Sequence, residues 1–359
     1  MLLSACFIIY LALVGWLMRG IWRYRVSVKD CSLPEWPPVT IIVAARNEAA
    51  QLADLNSCLQ RQSYPNDRLQ IIIVDDRSED DTPDILAELQ KHNRFEALRL
   101  ENVPERYSPK KYALNHGLAA AQHDIILLTD ADCRPGPEWV KLVVSCFQPG
   151  TVAVVGFSPV MSCHATLNGL LLLDSLAVAA ASLAGVGWRK PFLATGRNLA
   201  YRKSAFMAAG GFAGFARQVS GDDDVLIQRL ARVGRVEYAL PPPSHVWSVG
   251  GPASLRAWLR QKRRHLSAAR SYVPAVQLGY LVFHACNVAL WLAPLLVGWR
   301  GLLLLVLKCV ADFWVLRGAA VRLTWRPPWV FFWGWEIVHL LLHLLAGAAT
   351  FVGKPRWKN

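Results

Sequence analysis

The chain has 359 residues, of which 53% are hydrophobic, 15 are tryptophan and only 18% are charged, and its formal charge is +13. Apolar residues crowd both ends, which excludes an ordinary soluble domain and favours a membrane protein with a soluble middle. The charge calls for anionic partners; no nucleic-acid motif accompanies it, so lipid headgroups and nucleotide phosphates fit better than nucleic acid. Its eight cysteines show neither CxxC pairing nor zinc-ligand spacing, so no disulfide framework is expected.

In chain order, residues 1–25 read as an amino-terminal membrane anchor. Met1–Met18 is almost wholly apolar and is followed by Arg19, Arg23, Arg25 and Lys29. Apolar first and basic after is the order of an uncleaved anchor whose carboxyl side faces the cytosol, as at a bacterial inner membrane.

Residues 35–250 alternate strand-like and helix-like runs. Strands are expected at Val39–Ala44, Leu69–Val74, Ala97–Leu100, Ile125–Thr129 and Val152–Phe157, with helices at Glu48–Gln62, Thr82–His92, Lys110–Gln122 and Glu138–Phe147. This pattern predicts an α/β domain with a mostly parallel sheet. Asn168–Val186 is apolar enough for a membrane span, but Asp174 interrupts it, and the expectation is a domain helix packed near the bilayer.

Short acidic clusters stand at strand exits. Ile71–Val74 runs into Asp75-Asp76, Ile125–Thr129 runs into Asp130-Ala131-Asp132, and Asp222-Asp223-Asp224 follows Ser220-Gly221. Open α/β sheets bind ligands outside the carboxyl ends of their strands. Hard cations such as Mg²⁺ or Mn²⁺ take one or two carboxylates plus substrate phosphates. Asp130 and Asp132 are therefore candidate metal ligands, with His245 a third candidate whose alternative is a plain loop histidine. Lys110, at the start of a helix, suits a diphosphate.

Residues 251–272 read as a basic amphipathic helix for the headgroup plane, with Leu255, Trp258, Leu259 and Leu266 interleaved with arginines and Lys262. Residues 273–353 hold three more apolar stretches, Val273–Val297, Leu302–Leu316 and Trp329–Val352. The middle one is short and carries Lys308 and Asp312 on one face; Glu336, His339 and His343 share a face of the last. Four crossings would return Lys354, Arg356 and Lys358 to the outside, so either the middle stretch is re-entrant or the tail's bias is overridden.

In order, VTIIVAARNE (Val39–Glu48), IIIVDDRSEDDT, KKYALNHGL, IILLTDADC and Thr195–Arg202 resemble family 2 glycosyltransferases, from about Val39 to Arg270. The resemblance implies a nucleotide-sugar-binding glycosyltransferase A-type fold. It places Asp75 and Asp76 at the base and ribose, beside Ala45 and Glu48, with Lys110 at the diphosphate and Asp130 and Asp132 at the metal. Asp222 aligns best with the catalytic base, and Asp223 is its rival. Gln261 and Arg264 match a QxxRW motif that here reads QxxRH, so leaving-group contacts are implied while His265 stands where tryptophan faces the acceptor. Among membrane members the chain resembles ceramide glucosyltransferase-like enzymes, implying inverting transfer from a nucleotide-sugar donor to a lipid or lipid-linked acceptor. The alternatives are a processive polysaccharide synthase, a polyprenyl-phosphate glycosyltransferase and a non-enzymatic nucleotide-sugar-binding scaffold.

Overall fold

The computed structural model describes residues 1–25 and 35–350. Lys29, Lys354, Arg356 and Lys358, which the charge reading of the termini invokes, lie outside the described residues. The first apolar run forms α1 (Leu2–Arg23). The domain then proceeds through β1 (Val39–Ala45), α2 (Ala49–Gln60), β2 (Leu69–Asp76), α3 (Thr82–His92), β3 (Glu96–Leu100), α4 (Pro109–Ala120) and β4 (Ile125–Asp130). Next come β5 (Cys133–Pro135), α5 (Trp139–Ser145), β6 (Thr151–Gly156), α6 (Ala165–Gly187), β7 (Leu199–Arg202) and α7 (Lys203–Ala208). The domain closes with α8 (Asp224–Leu230), β8 (Arg235–Ala239) and β9 (Val246–Ser248), and four helices follow: α9 (Leu255–Leu266), α10 (Pro274–Val297), α11 (Trp299–Arg322) and α12 (Phe332–Thr350).

Seven strands form one sheet in the order β3-β2-β1-β4-β7-β6-β8. The first four run parallel, while β7 lies antiparallel between β4 and β6. This is the α/β fold expected, with a mixed rather than wholly parallel sheet. The buried strands take their faces from the two-residue period of extended chain. Val39, Ile41 and Val43 pack with Leu52, Leu55 and Leu59 of α2, whereas Ile42 faces Leu114 and Leu118 of α4. Because β2 lies on one side of β1 and β4 on the other, strand order reverses at β1, and that reversal opens a crevice at the strand exits.

The stretch expected as a domain helix near the bilayer is α6. It is 23 residues long and apolar enough to cross a membrane, as are α1, α10 and the 329–347 segment of the last helix. It packs against α1, α11 and α12. The α1–α6 crossing is glycine on glycine: a Cβ on Gly187 would lie 1.9 Å from the Gly20 carbonyl oxygen, so only hydrogen fits there. Likewise the short middle stretch is in fact the 24-residue α11. Its Lys308 ion-pairs with Asp312 at 2.8 Å and also with Glu336 of α12, and Asp312 accepts a hydrogen bond from Tyr10 of α1. Tyr24, just past α1, donates to the Tyr238 carbonyl at 2.9 Å and so ties the anchor to β8.

Candidate functional site

The exits of β2, β1 and β4 lie side by side. Ala45 of β1 pairs with Asp75 of β2, and Ala44 pairs with Asp130 of β4. Two strand spacings, about 10 Å, therefore separate Asp75 from Asp130. The loops beyond β1 and β2 are stitched together: Asn47 N donates to Ser78 Oγ (2.9 Å), Glu48 N to Thr82 Oγ1 (2.9 Å), Glu79 N to Asn47 Oδ1 (2.9 Å) and Ser78 N to Asp75 Oδ1 (3.0 Å). Asn47 (φ 52°) and Arg77 (φ 54°) sit in the left-handed region, strain that this stitching sustains. Asp75 and Asp76 are buried, and Oδ2 of each accepts no hydrogen bond, Arg99 Nε standing off Asp75 Oδ2 at 3.7 Å. Buried acceptors of this kind are costly unless a ligand N–H or O–H meets them.

A cavity of about 670 Å³ gathers Lys110, Asp130, Asp222, Asp223, Gln261 and Arg264 on its walls. Asp75, Asp76, Ala45, Glu48 and Asp132 lie outside that lining. Lys110 bridges two acidic clusters far apart in sequence, its Nζ lying 2.9 Å from Asp130 Oδ1 and 3.3 Å from Asp222 Oδ2. Burial pulls the Lys110 ammonium down, but the Asp130 and Asp222 carboxylates outweigh burial and hold it above its ordinary value.

The three consecutive aspartates do different things. Gly221 introduces them at φ 91°, a conformation that side-chain-bearing residues rarely adopt. Burial raises the Asp222 carboxyl, but Lys110 and then Lys111 reverse this and bring it to about 2. Asp223 is only half-buried, and its carboxylate accepts from Gly196 N (3.1 Å) and from Asp224 N (2.8 Å), capping α8. Burial and then the neighbouring Asp222 charge push the Asp223 carboxyl up. Asp224 faces inward, accepting from Ala194 N at 3.0 Å and from Tyr272 Oη at 2.6 Å.

The run-up to this cluster is held by a residue that sequence reasoning missed. Lys111 is fully buried and donates to the carbonyls of Gln218 (2.5 Å) and Ser220 (2.8 Å). Burial lowers its ammonium to about 8. Nothing in the sequence distinguishes it from Lys110 beside it. Arg197, also unforeseen, lines the cavity and donates to Ser158 Oγ at 3.1 Å.

The stretch expected as an amphipathic helix contains α9, continued by a 3₁₀ turn over Ser267–Ser271. It packs on α12, and Trp258 and Lys262 are buried. Gln261, Arg264 and His265 line the cavity, so the QxxRH motif meets the acidic clusters.

His245 is a correction. It is 4% exposed, its Nε2 lies 3.1 Å from the Leu240 carbonyl, and its ring packs edge-on against Phe157. Burial lowers it to about 4, and it lines no part of the cavity. It is a core histidine of the β9 approach.

The donor set suits a hard cation of the kind that family likeness implies. Among the described residues no three His, Cys, Asp or Glu side chains converge on one point. Asp130 and Asp132 would thus supply one or two carboxylates, leaving the rest to phosphate oxygens and water. The Lys110 ammonium against Asp130 and Asp222 shows that positive charge is already accommodated there. Asp132 Oδ2 accepts from Ser248 Oγ at 3.0 Å and faces Gly250, where any Cβ would lie 2.3 Å away.

A switch-point crevice with carboxylates at the exits of β2 and β4, a third acidic cluster at the start of α8, a bridging lysine and a basic motif helix define an α/β protein built against a bundle of apolar helices. Residues 40–222, just over half of the chain, match the model of glycosyl transferase family 2, and the chain belongs to that family. A probable glycosyltransferase, YdaM of Bacillus subtilis, is 27% identical over 69% of this chain and 60% of its own length. A beta-monoglucosyldiacylglycerol synthase of Trichormus variabilis is 39% identical over 33% of this chain and 25% of its own. The chain thus spans less than two thirds of the length of these curated relatives. Among solved structures, the mannosyltransferase PcManGT of Pyrobaculum calidifontis, in complex with GDP-Man and Mn²⁺, matches at a TM-score of 0.62 and 20% identity over 98% of this chain and 99% of its own. That likeness shows a glycosyltransferase A-type fold.

Proposed function

We propose that this chain transfers a glycosyl group from a nucleotide sugar to a hydroxyl of a membrane lipid or lipid-linked acceptor. One observation carries the reading: a single cavity is walled both by Asp130, the Asp222–Asp224 cluster and Lys110 and by α6, α10 and α12 of the apolar bundle. Similarity to the beta-monoglucosyldiacylglycerol synthase of Trichormus variabilis supports a lipid acceptor. The units proposed are an anchor at 1–25, a transferase domain at 35–250, an interfacial helix at 251–272 and a bundle at 273–353, with α6 belonging to both domain and bundle. Arg19 and Arg23 at the carboxyl end of α1 and Arg25 just beyond it favour a cytosolic catalytic domain.

In this mechanism Asp75 and Asp76 accept hydrogen bonds from the base and ribose through oxygens that otherwise lack donors. Ala45 and Glu48 flank them. Asp130 and Asp132 would hold Mg²⁺ or Mn²⁺, which when bound would offset charge on the diphosphate. Asp223 is the better base. Lys110 engages Asp222 and keeps it a weak proton acceptor, whereas Asp223 is oriented by two backbone amides and its raised carboxyl lies closer to the working pH. The acceptor oxygen bonds to the anomeric carbon as its proton passes to Asp223. The carbon–oxygen bond to the diphosphate breaks, and its electron pair leaves with the nucleoside diphosphate. Lys110 and Arg264, with Gln261, meet that leaving charge. A single in-line displacement inverts the anomeric centre.

The test is product analysis with purified full-length protein in lipid nanodiscs, supplied with a panel of labelled UDP- and GDP-sugars and Mn²⁺. A labelled glycolipid is the expected product. Binding of nucleotide sugars with neither hydrolysis nor transfer would instead identify a scaffold.

A further inference from the structure

The cavity does not end at the acidic clusters. Its far wall is made by Leu171 and Val178 of α6, Leu281 and His284 of α10, and His343 of α12. All three helices include stretches long and apolar enough to cross a membrane. Leu281 lines the cavity and is also 67% exposed, with Leu278 one turn earlier 61% exposed. This arm therefore reaches the apolar outer face of α10, where the only abundant partner is hydrocarbon.

The polar groups of the arm select among lipids. The rings of His284 and His343 stack at 4.9 Å. His343 Nδ1 lies 2.8 Å from the His339 carbonyl, which can only accept, so Nδ1 carries the proton and Nε2 remains an acceptor. His339 stacks on His343 at 4.1 Å and lies 3.5 Å from Asp174, whose charge is offset by Lys262. A neutral acceptor beside a compensated ion pair suits a hydroxyl, which donates, better than a phosphate, which does not.

We propose that this arm is an acceptor site: it holds one hydrocarbon chain of a hydroxyl-bearing membrane lipid, with His284 and His343 at the junction of chain and headgroup. The lipid enters sideways from the bilayer between α10 and α12 and presents its hydroxyl toward Asp223. This assignment rests on the transfer reading above and adds to it the class of acceptor and its route.

The probe is a 1,2-diacylglycerol with a diazirine in one acyl chain, given to the full-length protein in nanodiscs of phosphatidylcholine and phosphatidylglycerol. Irradiation is expected to label peptides of α6, α10 or α12 that contain Val178, Leu281 or His343. Val178→Trp and Leu281→Trp fill the arm from different helices, so a packing fault in one leaves the other informative. Each is expected to lower labelling, and to lower the ratio of lipid transfer to nucleotide-sugar hydrolysis, at least tenfold. Leu302→Trp, on an exposed position of α11, controls for added bulk. Label confined to other segments, or an unchanged ratio in both tryptophan variants, overturns the arm. Labelling and transfer with a photoreactive polyprenyl phosphate but not with diacylglycerol overturns the hydroxyl headgroup. Label in the arm with no turnover of any donor supports the site while the transferase reading fails.

Discussion

Lys262 of α9 meets Asp174 of α6 in a two-oxygen ion pair, its Nζ lying 2.8 Å from Oδ1 and 2.7 Å from Oδ2. The carboxylate that interrupts an otherwise apolar helix is thus the anchor for the helix carrying Gln261 and Arg264. Burial raises the cost of the Asp174 charge, and the pair repays it only while both members are present.

Removing one partner should be worse than reversing both. Asp174→Asn leaves the buried Lys262 charge without its partner, and Lys262→Met leaves Asp174 only the His339 ring at 3.5 Å, each at a cost of about 3–5 kcal/mol. The exchanged pair, Asp174→Lys with Lys262→Asp, should recover part of that. Because α9 carries Gln261 and Arg264, the single variants should also raise KM for the nucleotide sugar. Thermal unfolding in detergent and donor kinetics would check this, and single variants as stable as the parent would refute it.

Asp222 and Asp223 should separate kinetically. Asp223→Asn is expected to lower kcat by about 10²–10⁴-fold, as loss of a general base does, with little change in donor KM. Asp222→Asn removes one of the two carboxylates that hold Lys110 and should act mainly on donor binding. The pH profile carries the same signature. A raised carboxyl is protonated below its pKa and cannot accept a proton, so kcat should climb with rising pH and then level off. Asp222, held near 2, stays ionised throughout. A profile that is flat from about pH 4 to 8 in the parent enzyme would speak against Asp223 as the base.

Lys111 should matter without touching substrate. Lys111→Met removes donors from the Gln218 and Ser220 carbonyls and leaves both short of partners, at about 1–3 kcal/mol each at most. Amide hydrogen exchange over 217–224 should quicken, and kcat should fall by about tenfold, equivalent to some 1.4 kcal/mol of barrier. Unchanged exchange there would remove its positioning role.

Metal dependence should track Asp130 and Asp132. EDTA is expected to suppress turnover and Mn²⁺ or Mg²⁺ to restore it. Asp130→Asn and Asp132→Asn should each shift the metal concentration for half-maximal rate upward by tenfold or more, since each removes an anionic oxygen ligand. Full activity of both variants in EDTA would exclude this assignment.

Much of the domain was legible because it rests on local rules. β-Branched apolar runs marked β1, β2, β4 and β6, and the acidic residues after them marked the strand exits. QxxRH was recognisable as a motif and does line the cavity. Other features depend on partners remote in sequence. Lys110 meets Asp222 more than a hundred positions later, and Asp174 finds Lys262 88 positions later. From sequence, Asp174 only argued against a membrane span, whereas in the fold it is the residue on which α9 docks. His245 misled for a similar reason: a histidine after a proline run has no local mark of whether it faces a cavity or the core.

The sequence by itself determined the class of chemistry: strand period, strand-exit carboxylates and apolar ends follow from the order of residues, because each reflects interactions within a few positions. Only the tertiary structure decided which carboxylate is paired with a cation, which is set by backbone amides, and that α6 joins the domain to the bundle. Those outcomes turn on distances and on burial, which change the strength of an ion pair or a proton's affinity several-fold over a few ångströms and are set only when the chain closes on itself.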